Sequence, residues 1–156
     1  MKEVIIRDYR FEDLSAFTQL MCEYHHYDNF NERFSESLTE AHERGYDPYG
    51  YFTMPNRVWI AEIEDKIVGM MLVSIRGGSV KISLIVDEAY RRKGIGRKLI
   101  ETLVQFVKEE NLRKIYCTVA IHNTGTLAFL KKLGFVHEGY VAQDGKGYVI
   151  YARTQF

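Results

Sequence analysis

Residues 80–86 form a mostly apolar segment of strand length. Across the basic stretch Tyr90-Arg91-Arg92-Lys93-Gly94-Ile95-Gly96-Arg97-Lys98 this run gives way to Ile95, Leu99, Leu103 and Val107, which recur at helical spacing. A second apolar run, rich in β-branched residues, follows at 115–121, so the local order is strand, helix, strand. Upstream, residues 58–63 and 67–75 are two more strand-length runs. The turns Glu64-Asp65-Lys66 and Arg76-Gly77-Gly78-Ser79 are too short to hold anything but hairpins. A meander that runs into strand-helix-strand commits the chain to a mixed sheet with helices on both faces.

The remaining segments extend this frame. Residues 4–6 read as a short strand. Leu14, Phe17, Leu20, Met21 and Tyr24 mark an amphipathic helix from about Glu12. Residues 29–45 read as partly helical, with Glu32, Glu36 and Glu40 on one face, and 46–56 as a loop holding both prolines. A helix over 124–133 is stopped by Gly134. Two last strands, 135–141 and 148–154, flank the turn Asp144-Gly145-Lys146-Gly147. The expected class is α/β: one domain over 1–156, with a mixed, mostly antiparallel sheet of about seven strands flanked by helices.

Composition narrows the function classes. At 156 residues, with 46% hydrophobic and 27% charged, the chain is long enough for one cored domain. No apolar run approaches the roughly 20 residues of a spanning helix, so no membrane role is expected. Glu3 and Asp8 interrupt the N-terminal apolar residues, which argues against a signal peptide and for a cytoplasmic protein. Lys plus Arg and Asp plus Glu both number 21, and zero net charge argues against a duplex nucleic-acid partner. Cys22 and Cys117 lie far apart and read as two free thiols, and no metal-ligand spacing occurs.

The chemistry is carried by residues 90–98. A helix start has backbone N–H groups without intrahelical partners and the positive end of the dipole. Gly94 and Gly96 let a phosphate approach that backbone, and five cations with no acid lie between Arg91 and Lys98. A dinucleotide fingerprint would need glycine at 99, where Leu99 stands, and no G-x-x-x-x-G-K-[ST] loop is present. A solvated basic helix start is the bland alternative.

These residues resemble the GCN5-related N-acetyltransferase family. Its cofactor motif, Arg/Gln-x-x-Gly-x-Gly/Ala after a strand ending apolar-x-Val, is matched by Leu84-Ile85-Val86, Arg91, Gly94 and Gly96. Its second motif, from Asn to Leu-Gly-Phe twelve residues on, is matched by Asn123 and Leu133-Gly134-Phe135. The resemblance implies acetyl-CoA as co-substrate. It implies that backbone N–H groups of Arg92, Lys93, Gly94, Ile95, Gly96 and Arg97 hold the pyrophosphate, with their side chains near the phosphates. The backbone edge of Leu84, Ile85 and Val86 would pair with the pantetheine arm, provided the strands at Val80 and Ile115 part at their C-terminal ends. Asn123 would bond the pantetheine through its amide; a helix cap is the structural alternative. The sequence departs from the family at Leu130, where the family often has a tyrosine thought to protonate the leaving thiolate. Tyr116, Tyr140 and Tyr148 are candidate substitutes.

The implied reaction is direct attack of a primary amine on the thioester, with a backbone N–H near Val86 stabilising the oxyanion. His122 is the candidate base or relay, against the alternative of a surface histidine; Glu23, His25 and His26 are weaker candidates. Residues 23–47 hold seven acids and two bases, net −5, against +5 between Arg91 and Lys98. That dipolar pattern suggests a cationic acceptor, such as a polyamine, an aminoglycoside-like amine or a lysine side chain, unless the glutamates are only a solvated face. A catalytically silent acetyl-CoA or anion sensor is the competing function, and a nucleic-acid module a third. The apolar run 148–151 is compatible with an edge strand and a homodimer.

Overall fold

The computed structural model describes residues 2–24, 32–143 and 145–156; His25, His26 and Asp28 lie outside them. Seven strands, β1 (Ile5–Asp8), β2 (Arg57–Ile63), β3 (Lys66–Arg76), β4 (Ser79–Val86), β5 (Lys114–Ala120), β6 (Val136–Gln143) and β7 (Lys146–Arg153), form one sheet in the order β1-β2-β3-β4-β5-β7-β6. The helices are α1 (Leu14–Tyr24), α2 (Glu32–Glu43), α3 (Ile95–Glu109) and α4 (Thr124–Lys132). The β1–β2, β2–β3, β5–β7 and β6–β7 pairs are antiparallel, and β4–β5 is parallel, as the mixed-sheet expectation requires. The chain divides into two compact units, Met1–Ser74 with Ser83–Thr102, and Ile75–Ile82 with Leu103–Phe156.

In the first unit, strand alternation sorts side chains to two faces. Val58 and Ile60 of β2, Met70 and Leu72 of β3 and Ile85 of β4 pack with Leu14, Phe17, Leu20 and Met21 of α1 and Leu38 of α2. Phe17, Ile60, Met70 and Leu38 are fully buried, and each such side chain contributes roughly 1.5–3 kcal/mol. Gly69 faces the other side, where a Cβ would lie 3.5 Å from Ile95 at the start of α3. The turn from β1 into α1 is pinned by Asp13. Its carboxylate accepts from Arg7 Nη1 and Nη2 at 2.8 and 2.9 Å and from the Arg10 N–H at 2.7 Å. The Arg7 hydrogen bonds hold that carboxyl below its usual range although burial opposes them.

In the second unit, the parallel ladder pairs Ser79–Lys81 with Lys114–Tyr116 and goes no further among the described residues. It stops five residues before β4 ends. The last strand inserts beside β5, pairing Ile115 with Arg153 through to Ala120 with Tyr148. Residues 148–151 are therefore interior to the sheet, and the edge next to them is β6, which corrects the edge assigned from sequence. The final hairpin is also tighter than expected. Gln143 pairs with Lys146, so β7 starts two residues early, and Gly145 supplies the left-handed turn conformation at φ +74°.

Candidate functional site

After β4 the chain makes a 3-10 turn, Glu88–Tyr90, whose first N–H groups are served by Asp87: its side chain accepts from Ala89 N at 3.1 Å. Arg92 and Gly94 then both adopt left-handed backbone, φ +62° and +82°. For an arginine this conformation costs roughly 1–2 kcal/mol, and such strain concentrates where backbone is shaped for a ligand. Left-handed residues in a short run turn successive N–H groups into one concavity, an anion nest. The first i to i−4 bond of α3 runs from Lys98 N to Gly94 O at 3.0 Å, so the N–H groups of Ile95, Gly96 and Arg97 precede any intrahelical acceptor. A Cβ added at Gly94 meets nothing within 4 Å. Glycine is thus required there for conformation, and the space above it is open.

The five cations of this run have different fates. Arg91 folds back, its Nε donating to the Val86 carbonyl at 3.0 Å. Lys98 donates to the Val4 carbonyl at the start of β1. Lys93 sits over the Tyr90 ring, 5.3 Å from its centroid. Arg92 and Arg97 are exposed. The Ile95 side chain is buried, so only its N–H can serve a ligand. Leu84 and Val86 are half-buried and Ile85 is in the core; as at Ile95, the main chain is what this segment can offer.

His122 and Asn123 belong to the second unit, in the turn after β5. Asn123 is the N-cap of α4: its side chain accepts from Thr126 N at 3.3 Å, and its carbonyl from Leu127 N at 3.2 Å. The capping role is therefore built. His122 is exposed and its carbonyl accepts from Thr124 N at 2.9 Å.

Leu130 is only 2% exposed and is a core residue of α4. Of the three tyrosines weighed as its substitute, Tyr116 pairs with Lys81 near the N-terminal end of β5. It is seven residues before Asn123, or roughly 20 Å along a strand. Tyr148 is buried within the sheet. Tyr140 is 60% exposed, and its ring covers Gly147, where a Cβ would lie 2.8 Å from the Tyr140 hydroxyl and 3.3 Å from the Ile121 side chain. Tyr140 and Ile121, the residue just before His122, thus both lie over Gly147.

Two features of the first unit were not read from sequence. Gly69 in mid-strand is one: an added Cβ would lie 3.0 Å from the Ile85 carbonyl. A glycine inside a strand is the signal of close backbone approach. Lys66 is the other, treated below. The acidic segment also resolves. Glu36, Glu40 and Glu43 are exposed on α2, with Glu40 paired to Arg44 at 2.7 Å. Asp47 instead ties its own loop, accepting from Phe52 N at 2.7 Å and Thr53 Oγ1 at 2.9 Å. Among the described residues no group of three or more His, Cys, Asp or Glu could hold a metal, and no helix is long and apolar enough to cross a membrane.

Residues 16–135 match the model of the acetyltransferase (GNAT) family. Human N-acetyltransferase 8 is 27% identical over 52% of this chain and 39% of its own length. An N-alpha-acetyltransferase of Saccharolobus solfataricus is 31% identical over 61% of this chain and 67% of its own. The chain thus spans well under half of the human relative. Among solved structures, a spermidine N-acetyltransferase chimera from Vibrio cholerae superposes with a TM-score of 0.77 at 20% identity, covering 97% of this chain and 95% of that one.

Proposed function

Because the chain belongs to the GNAT acetyltransferase family, we propose that it is an N-acetyltransferase that moves the acetyl group of acetyl-CoA to the primary amine of a cationic acceptor. The observation that carries this reading is the start of α3: left-handed Arg92 and Gly94, the N–H groups of Ile95, Gly96 and Arg97, and the exposed cations Arg92, Lys93 and Arg97 around them. Those groups fit a pyrophosphate, whose charge they match through both dipole and side chains. Backbone groups of Leu84, Ile85 and Val86, beyond the β5 ladder, would pair with the amide-bearing arm as another strand would.

Acetyl-CoA supplies a thioester: the amine nitrogen forms a bond to its carbonyl carbon, the C–S bond breaks, and the thiolate takes a proton. A main-chain N–H near Val86 would steady the charge that develops on the carbonyl oxygen. His122 takes the proton of the ammonium, directly or through water. Tyr140 is assigned the proton returned to sulfur, since Leu130 has none to give, and it regains one from the second N–H that the nitrogen loses as the amide forms. Asn123 adds its amide N–H while its oxygen caps α4. Both thiols are held in their protonated form more firmly than an ordinary cysteine. Burial pushes the Cys117 thiol up to about 12, and burial with Glu23 also raises Cys22. An acyl-cysteine intermediate is thereby disfavoured and direct attack in a ternary complex favoured. For the acceptor, the exposed glutamates of α2 support a cation, and spermidine is the substrate in the name of the superposed relative.

The buried Leu130 favours a second reading, a sensor that binds acetyl-CoA without turnover. Calorimetric titration with acetyl-CoA, followed by thiol release across polyamines, aminoglycosides and lysine peptides, separates them. Binding with amine-dependent release is the expected result. Binding without release across the panel supports the sensor, and no binding overturns both.

A further inference from the structure

The ring of Tyr90 carries a cation from each of two distant places in the sequence. Lys93 comes from the loop itself, and Lys66 from the first position of β3, its ammonium 5.0 Å from the same centroid. The two ammoniums are therefore within about 10 Å of each other, each held by attraction to one ring. Both side chains are exposed, and neither takes part in an ion pair among the described residues. Of the carboxylates near them in sequence, Glu64 pairs with Lys2 at 2.9 Å and Asp87 accepts from Ala89 N. Lys66 is also placed firmly. The β2–β3 turn has two consecutive non-glycine residues, Glu64 and Asp65, in left-handed backbone at φ +47° and +65°. That is the tight two-residue hairpin, and Ile63 pairs directly with Lys66 across it.

A wet basic surface needs no such arrangement. Two ammoniums held by one ring, with Lys93 in the same loop as Arg92, offer cations to a second anion. We propose that Lys66 and Lys93, mounted on Tyr90, bind the terminal 3′-phosphate of the coenzyme A moiety, separately from its pyrophosphate. This rests on the acetyl-CoA reading above. A phosphate monoester carries roughly −1.5 to −2 charge at neutral pH, so it suits a pair of ammoniums. Lys66, outside both family motifs, would then select the phosphorylated cofactor over its dephosphorylated form.

The test is titration of the whole chain with acetyl-CoA and with acetyl-3′-dephospho-CoA at fixed salt, for wild type, Lys66→Ala, Lys66→Glu and Lys66→Arg. Wild type is expected to prefer acetyl-CoA. An exposed pair is worth a factor of about three to five, so Lys66→Ala should lose that much affinity for acetyl-CoA and almost none for the dephospho form. Lys66→Glu should lose more, and Lys66→Arg should keep the preference, which separates charge from folding. Equal wild-type affinity for the two cofactors, or equal loss of both in Lys66→Ala, overturns the proposal and leaves the acetyl-CoA reading intact. Wild-type binding to neither cofactor overturns that reading and this one together.

Discussion

Two strand-to-helix junctions in this chain are built from opposite choices at one position. Before α4 stands Asn123, whose side chain closes the helix start by accepting from Thr126 N. Before α3 stands Gly94, which has no side chain to offer and holds a left-handed backbone. Both junctions expose the same orphan N–H groups in principle. The first has acceptors of its own for Thr124 N and Thr126 N, whereas the second has no intrahelical acceptor for Ile95, Gly96 and Arg97 N and is the candidate anion site. The residue before the first helical turn, more than the helix, decides which role a helix start takes.

The contrast can be broken most severely at Gly94. Gly94→Glu forces a side chain into left-handed backbone and puts a carboxylate where an anion should sit. We expect acetyl-CoA affinity to fall by about 100-fold or more, read by calorimetry; retained affinity would remove the nest from the cofactor site. Gly69→Val comes next. Its Cβ would crowd the Ile85 carbonyl and the base of α3, and overpacking of this kind costs about 1–3 kcal/mol in urea unfolding, with weaker acetyl-CoA binding. At the other junction, Asn123→Ala should cost about 1 kcal/mol through the lost cap. Asn123→Asp keeps the cap, so a raised KM for acetyl-CoA shared by both variants, with stability lost only in Asn123→Ala, would report the amide as a ligand. The smallest effects sort the cations. Arg97→Ala should weaken acetyl-CoA about threefold to fivefold, while Lys98→Ala, whose ammonium is turned to the Val4 carbonyl, should change it by less than about twofold.

The element order was legible because it is local. Apolar spacing at 95, 99, 103 and 107 gives α3 whatever it packs on, and the glycines at 94 and 96 mark its start. Residues 84–86 are accordingly found at a strand end, and 91–97 as the loop and first turn that lead into α3. Less legible were short features: the 3-10 turns at Phe11–Asp13 and Glu88–Tyr90, and the early start of β7. These depend on one or two hydrogen bonds, such as Asp87 to Ala89 N, and leave no periodic signal. Charge counting overstated the acidic segment, because a carboxylate that ties a loop, as Asp47 does, looks in sequence like one that faces a ligand.

The sequence by itself determined seven strands, their hairpins, the basic glycine loop and the leucine at 130, where the family resemblance implies a tyrosine. Only the tertiary structure decided that β7 lies between β5 and β6, that the β4–β5 ladder stops at Lys81, and that Lys98 and Arg91 turn to main-chain carbonyls while Lys66 joins Lys93 on Tyr90. Side-chain alternation fixes which face of a strand is buried but not which strand lies beside it. A cation's partner is set by whatever the fold brings within a few ångströms: for Lys98 that is a carbonyl 94 residues away, which no local pattern encodes.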